Sequence, residues 1–199
     1  MGMRTQSSKE TRNRAKELGE VIGSFHIDMD IDEVFAAQKN TTVKYLSFEP
    51  HFYVHGGSKA ENLALQNIQA RSRMVTAYYY AQLLPTIRKR PGGGALLVLG
   101  SANCGESLSG YLTKYDCSSA DLNPIGSIDK SDLKRYIAWA QTAYHLPVLA
   151  KFLSATPTAE LEPITQTYVQ SDEADMDMSR RAHRIWPIAQ KAGPSRNVP

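Results

Sequence analysis

Apolar and polar positions alternate along this chain with two different periods. Ala15, Leu18, Val21 and Ile22 recur at helical spacing. Ser7-Ser8-Lys9-Glu10 before them has the Ser-x-x-Glu spacing of a capping box, and Gly23 after them suits a C-cap. Phe25, Ile27, Met29 and Ile31 alternate with polar residues, which predicts a strand. Residues 30–38 read as a short helix and residues 40–57 as a loop carrying His51 and His55. Ser58 and Glu61 form a second capping-box pattern at the head of the longest helix, expected to run to about Leu84 before Pro85. Leu63, Ile68, Val75, Tyr79 and Leu83 are its expected core face. Leu65, Met74, Tyr78 and Tyr80 widen the apolar set beyond one face, as burial between layers or a subunit interface requires. Asn67 and Arg71 share a face, whereas Arg71 and Arg73 point roughly 160° apart, so at most one of them reaches a given ligand.

The apolar run Ala95-Leu96-Leu97-Val98-Leu99, bounded by glycines, suits a strand buried on both faces. Polar residues of both charges follow it through Lys130. Ligands of open α/β sheets bind just past the carboxyl ends of strands, which makes residues 100–130 the site candidate. Gly92-Gly93-Gly94 precedes a strand and has no Lys-Ser or Lys-Thr after it, so it reads as a turn and not a phosphate loop. Asn103 and Glu106 fit the N-cap and N3 positions of a helix, and the same carboxylate is placed to hold Mg²⁺ against a triphosphate. Lys114 offers a cation for a phosphate, and Asp121 an acceptor for a ribose or amide, in a loop of small residues. An ion-paired surface loop would look the same. A helix starts at residues 129–132 with Leu133, Tyr136, Ile137 and Ala140 on one face, and residues 147–153 form one more short helix. Strand–helix alternation predicts a parallel sheet with helices on its faces, although two strands are too few for a complete doubly wound domain.

Composition narrows the classes. The chain has 199 residues, 42% of them hydrophobic, and no run apolar enough to cross a bilayer. No signal peptide is evident, and Cys104 and Cys117 make neither a CxxC nor a disulfide framework, so a reducing, cytoplasmic setting is expected. The net charge is +3, but five basic residues lie beyond Asp177. Without them 18 basic face 20 acidic residues, a balance of −2. The basic character belongs to the tail, residues 179–199, expected to be mobile, and does not mark a nucleic-acid binder. The histidines lack four-ligand spacing for zinc, and neither cysteine has a base nearby, so no catalytic nucleophile is expected.

One resemblance goes further. Gly100-Ser101-Ala102-Asn103, Glu106-Ser107 and the run from Gly110-Tyr111-Leu112-Thr113-Lys114-Tyr115-Asp116 through Ser119-Ala120-Asp121-Leu122-Asn123-Pro124-Ile125-Gly126 resemble the signature of glutamine-dependent NAD⁺ synthetases of the eukaryotic type. Glu61-Asn62 with Asn67–Met74, Thr156-Pro157-Thr158-Ala159-Glu160-Leu161 and Gln170-Ser171-Asp172-Glu173 agree and fall in order. The likeness covers roughly residues 1–178. It implies an α/β, Rossmann-like fold of the adenine nucleotide α-hydrolase type, and a ligase that amidates nicotinic acid adenine dinucleotide to NAD⁺ through an adenylated intermediate. By the same likeness Ser101, Lys130 and Thr158 are similar to ATP contacts, Arg71, Lys114 and Asp121 to contacts with the deamido dinucleotide, and Glu106 to a Mg²⁺ ligand. Family members pair subunits through long helices, which implies a homo-oligomer through residues 58–84.

The likeness is incomplete. The family's SGGxDS phosphate loop and its strand are not in the sequence, nor is the glutaminase domain that supplies ammonia, nor the late His-Lys pair; His183 is followed by Arg184. Cys104, Gly105 and Ser109 depart from the family pattern. The expectation is an incomplete synthetase domain with impaired turnover. The alternatives are a non-catalytic dinucleotide-binding or oligomerising remnant, and a related ATP pyrophosphatase acting on another carboxylate, which the 111–126 match disfavours.

Overall fold

The computed structural model describes residues 7–155 and 160–163. Thr158, the motif at 170–173 and the tail 179–199 lie outside the described residues. Six helices carry the architecture: α1 (Lys9–Val21), α2 (Asp32–Leu46), α3 (Lys59–Ile87), α4 (Cys104–Ser109), α5 (Lys130–Ala143) and α6 (Ala150–Leu153). Short 3₁₀ turns lie at Tyr53–His55, Cys117–Ser119 and Pro147–Leu149.

The helix ends follow local chemistry. Ser58 Oγ accepts the Glu61 N–H while the Glu61 carboxylate accepts the Ser58 N–H, so the expected box forms. Asp129 caps α5 through the Ser131 N–H. Gly23, at φ +68°, follows α1 as expected. The box at Ser7 and Glu10 does not form; Ser8 is the cap instead and accepts the Thr11 N–H at 3.1 Å.

α2 extends eight residues beyond the expected stop at 38, so 40–46 is helix and not loop. Asp32 and Glu33 in its first turn and Lys44 in its last complement the helix dipole, and Thr41 Oγ1 returns a hydrogen bond to the Ala37 carbonyl. α3 also runs past its expected end: Pro85 has no N–H for the Ala81 carbonyl, and that carbonyl accepts the Leu96 N–H at 2.9 Å instead.

Ile31, Phe35, Phe52 and Leu65 form the apolar core, with the Phe35 and Phe52 rings stacked 6.1 Å apart and Ile68 packed against the group. Each such side chain contributes about 1.5–3 kcal/mol on burial. The core face of α3 differs from expectation. Leu65, Ala70, Met74 and Ala81 are buried, while Leu63, Val75 and Tyr79 are exposed. The helix is apolar on too many sides for periodicity to choose, and the polar Gln69 and Ser72 are buried in its place.

Both expected strands are corrected. Residues 24–29 form no ladder among the described residues and only Asp30 is in a bridge; Phe25 lies under the Arg88 guanidinium, 4.0 Å from the ring centroid. Residues 95–99 make one isolated parallel bridge, Leu99 to Leu122. Their side chains are not buried on both faces: Leu97 is 66% and Leu99 62% exposed. A strand buries its faces only when layers cover them, and none of the described helices covers these. The bridge is nonetheless parallel, the sense expected of the sheet.

The Glu61 carboxyl is held below its ordinary 4.5 by hydrogen bonds from Ser58 and then from the His51 N–H. A depressed folded pKa stabilises the fold above the unfolded value and loses that contribution as pH falls through the folded one. In thermal melts, the gap in Tm between wild type and Glu61→Gln is therefore largest near neutrality and closes below pH 4.5.

Candidate functional site

Residues 100–130 fold back on themselves at two points. The Gly100 N–H donates to the Leu122 carbonyl at 2.7 Å and the Leu122 N–H to the Val98 carbonyl at 3.3 Å. Gly100 lies so close to Ala120 and Asn123 that a Cβ there would be tight against both. Farther on, the Cys104 N–H donates to the Ile128 carbonyl at 3.1 Å, which brings the start of α4 beside the start of α5 and places Lys130 at α5's first position.

α4 begins as the sequence predicts. Asn103 Oδ1 accepts the Glu106 N–H at 3.1 Å, and the Glu106 carboxylate accepts from the Asn103 N–H and, at 2.8 Å, from its Nδ2. Gly110, at φ +65°, ends the helix in the left-handed conformation that glycine adopts without a Cβ penalty.

One row on α3 holds this stretch. Thr113 Oγ1 donates to Asn67 Oδ1 at 2.7 Å, Arg71 Nε to the Lys114 carbonyl at 2.9 Å, and Tyr78 Oη to Asp121 Oδ1 at 3.0 Å. At about 100° per residue, Asn67, Arg71 and Tyr78 fall within roughly 40° of each other. The shared face of Asn67 and Arg71 is thus real. A second row, on the far side of the helix, holds residues 160–163: Asn62 Nδ2 and Gln66 Nε2 both donate to Glu162 Oε1, and Gln69 Nε2 donates to the Glu160 carbonyl.

A cavity of about 370 Å³ opens between the rows. Leu63, Ala70 and Arg73 of α3 form its floor, Ser101, Glu106 and Asp116 line one side, and Leu161 lines another. Among the predicted site residues, Ser101 and Glu106 meet in this cavity. Arg71 and Lys114 meet each other outside its lining. Asp121 does not line it either: its second oxygen accepts the Val98 N–H at 2.8 Å, so its carboxylate joins the extended run to α3. Lys130 stands at the head of α5, and Thr158 lies outside the described residues.

The electrostatics are set by burial. Burial pushes the Arg73 guanidinium down, and the nearby Cys117 and Glu160 partly offset it. Burial and then the Asp116 charge push the Cys117 thiol up, which keeps it neutral and a poor nucleophile. Asp116 itself accepts the Thr113 and Ser118 N–H groups. Glu106 brings a carboxylate, the donor type a hard cation prefers, to the cavity lining, and its two oxygens accept from Asn103.

Arg73 lining the cavity while Arg71 bonds the Lys114 carbonyl outside it follows from their spacing. Gln66 and Glu162 carried no signal in the sequence; a helical Gln and a Glu beside Pro163 are ordinary surface residues.

The sequence pattern described as NAD synthase matches residues 1–182. The chain belongs to the NAD synthase family. It is 60% identical over 173 residues to the glutamine-dependent NAD(+) synthetase of Saccharomyces cerevisiae, covering 87% of this chain and 24% of that protein. To the same-named protein of Rattus norvegicus it is 54% identical over 192 residues, covering 94% and 26%. The chain thus spans about a quarter of the length of these curated relatives. Among solved structures it is similar to an NMN synthetase from Francisella tularensis, with a TM-score of 0.62, 26% identity, and coverage of 86% of this chain and 58% of that one. A glutamine-dependent NAD(+) synthetase from Cytophaga hutchinsonii also gives 0.62, at 22% identity, covering 92% and 26%. The fold is therefore the α/β fold of NAD synthases. Among the described residues no helix is long and apolar enough to cross a membrane.

Asn103→Ala removes the α4 cap and a buried partner of Glu106, and should cost about 1–2 kcal/mol in denaturant unfolding.

Proposed function

We propose that residues 1–178 are part of a synthetase domain that amidates nicotinic acid adenine dinucleotide to NAD⁺ with ATP. The observation that carries this reading is the meeting of Ser101 and Glu106 in one cavity, in a chain 60% identical to a glutamine-dependent NAD(+) synthetase. A carboxylate is a poor electrophile. ATP would adenylate it, releasing pyrophosphate, and ammonia would then displace AMP. The ammonia would come from a glutaminase domain that the present sequence does not include. What these residues contribute is placement of two nucleotides and neutralisation of phosphate charge.

In this reading Ser101, Lys130 and Thr158 contact ATP, and Arg71, Lys114 and Asp121 contact the deamido dinucleotide. Glu106 is the residue that would hold Mg²⁺, and the ion would screen the triphosphate. Arg71 supports its neighbour directly, because its bond to the Lys114 carbonyl fixes the backbone that carries the lysine. Free cysteines and the lack of a membrane-crossing helix among the described residues fit a cytoplasmic setting.

A second reading draws on exposed apolar surface. Leu97, Leu99 and, on α3, Val75 at 69% leave large side chains open, as a face covered by further layers or a second subunit does. By this reading the fold is incomplete in the residues at hand, and a homo-oligomer through α3 or a non-catalytic dinucleotide-binding remnant follows. The tests separate the two. With ATP, Mg²⁺, deamido dinucleotide and ammonium, the 199-residue chain should make NAD⁺ slowly or not at all, and turnover matching a full-length relative would refute incompleteness. In calorimetry the deamido dinucleotide should bind wild type, and Lys114→Ala should weaken it about tenfold, the loss of one charge-assisted contact of ~1.4 kcal/mol. No heat from wild type would defeat both readings.

A further inference from the structure

We propose that Glu160 and Glu162 are positioning residues, which strap residues 160–163 across α1 and α3 and so set the cavity wall made by Leu161 and Gln66. The proposal rests on the reading above that the cavity, where Ser101 and Glu106 meet, receives ATP with Mg²⁺. Five hydrogen bonds converge on the two residues. Glu162 Oε1 accepts from Asn62 Nδ2 at 2.5 Å and from Gln66 Nε2 at 2.6 Å, two amides one turn apart on α3. Glu160 Oε1 accepts from the Ser8 N–H at 3.3 Å and from Thr11 Oγ1 at 2.9 Å, at the head of α1. The Glu160 carbonyl accepts from Gln69 Nε2, whose side chain is fully buried.

These bonds explain an unusual backbone. Glu160 has φ +50°, a left-handed conformation that a residue with a Cβ adopts at a cost, and it is held there from both its side chain and its carbonyl. The reversal sends consecutive groups to different targets: the Glu160 carboxylate to α1, Leu161 to the cavity, and the Glu162 carboxylate to α3. Gln66 is gripped by Glu162 and also lines the cavity. One carboxylate therefore fixes two adjoining wall elements. Neither glutamate of the strap is itself among the residues lining the cavity, so they act through Leu161 and Gln66 and not on the ligand.

The test uses the 199-residue chain as wild type, Glu162→Ala and Glu162→Gln. Calorimetry with ATP and Mg²⁺ reads affinity, and amide hydrogen exchange reads the strap. Glu162→Ala should weaken binding about tenfold, speed exchange at 161 and 162 and at α3 residues 62–69, and leave α5 exchange unchanged. Glu162→Gln keeps a carbonyl oxygen for the two amides and should restore at least half of the lost affinity on a logarithmic scale. A merely structural residue would lower Tm and speed exchange without changing the affinity of the folded fraction, and that result overturns the proposal, as does unchanged exchange in Glu162→Ala. If wild type itself binds no ATP, the reading of Ser101 and Glu106 as an ATP site fails by that result. The strap then stands only if Glu162→Ala speeds exchange at 161–162 and 62–69 selectively, and falls if it does not.

Discussion

One helix with two polar rows holds this structure together. On α3, Asn67, Arg71 and Tyr78 grip the stretch after the apolar run, while Asn62, Gln66 and Gln69 grip the strap at Glu160–Pro163. The rows lie well over 90° apart around the axis, and the cavity occupies the sector between them, over Leu63, Ala70 and Arg73. Each bond contributes only about 1 kcal/mol net. Their joint effect is geometric: two segments nearly fifty residues apart in sequence are set at fixed distances from a single rigid element, and the space between them is the site.

That constraint explains why α3 begins so firmly and reads so poorly as an amphipathic helix. Its head is fixed by Ser58 and Glu61, with Asn62 also accepting the Tyr53 N–H. From there it buries apolar residues toward Phe35 and Phe52, polar ones beneath the strap, and leaves Val75 and Tyr79 exposed. A helix with contacts on this many sides cannot show a narrow apolar stripe.

What was legible in the sequence was local. The boxes at Ser58–Glu61 and Asn103–Glu106, the helix start at 129–132 and the glycine after α1 need only a few neighbouring residues, and all four form. The shared face of Asn67 and Arg71 follows from helical pitch alone. Ser101 and Glu106, which the resemblance offered as an ATP contact and a Mg²⁺ ligand, both line the cavity. The remainder depended on distant contacts. Burial of the 95–99 run requires covering layers, so an apolar sequence did not guarantee it. The bonds that Asp121 accepts from Tyr78 and Val98 had no local signal either, because they arise where its loop folds back onto α3. Glu162 gave no sign at all, since its partners lie a hundred residues earlier.

The most direct measurement is a crystal structure of the 199-residue chain grown with ATP and Mg²⁺. Density for the ligand between the two rows of α3, within reach of Ser101, Glu106 and Arg73 and against Leu161, is the expected result. Ligand density on any other face, with this cavity filled only by solvent, would contradict it.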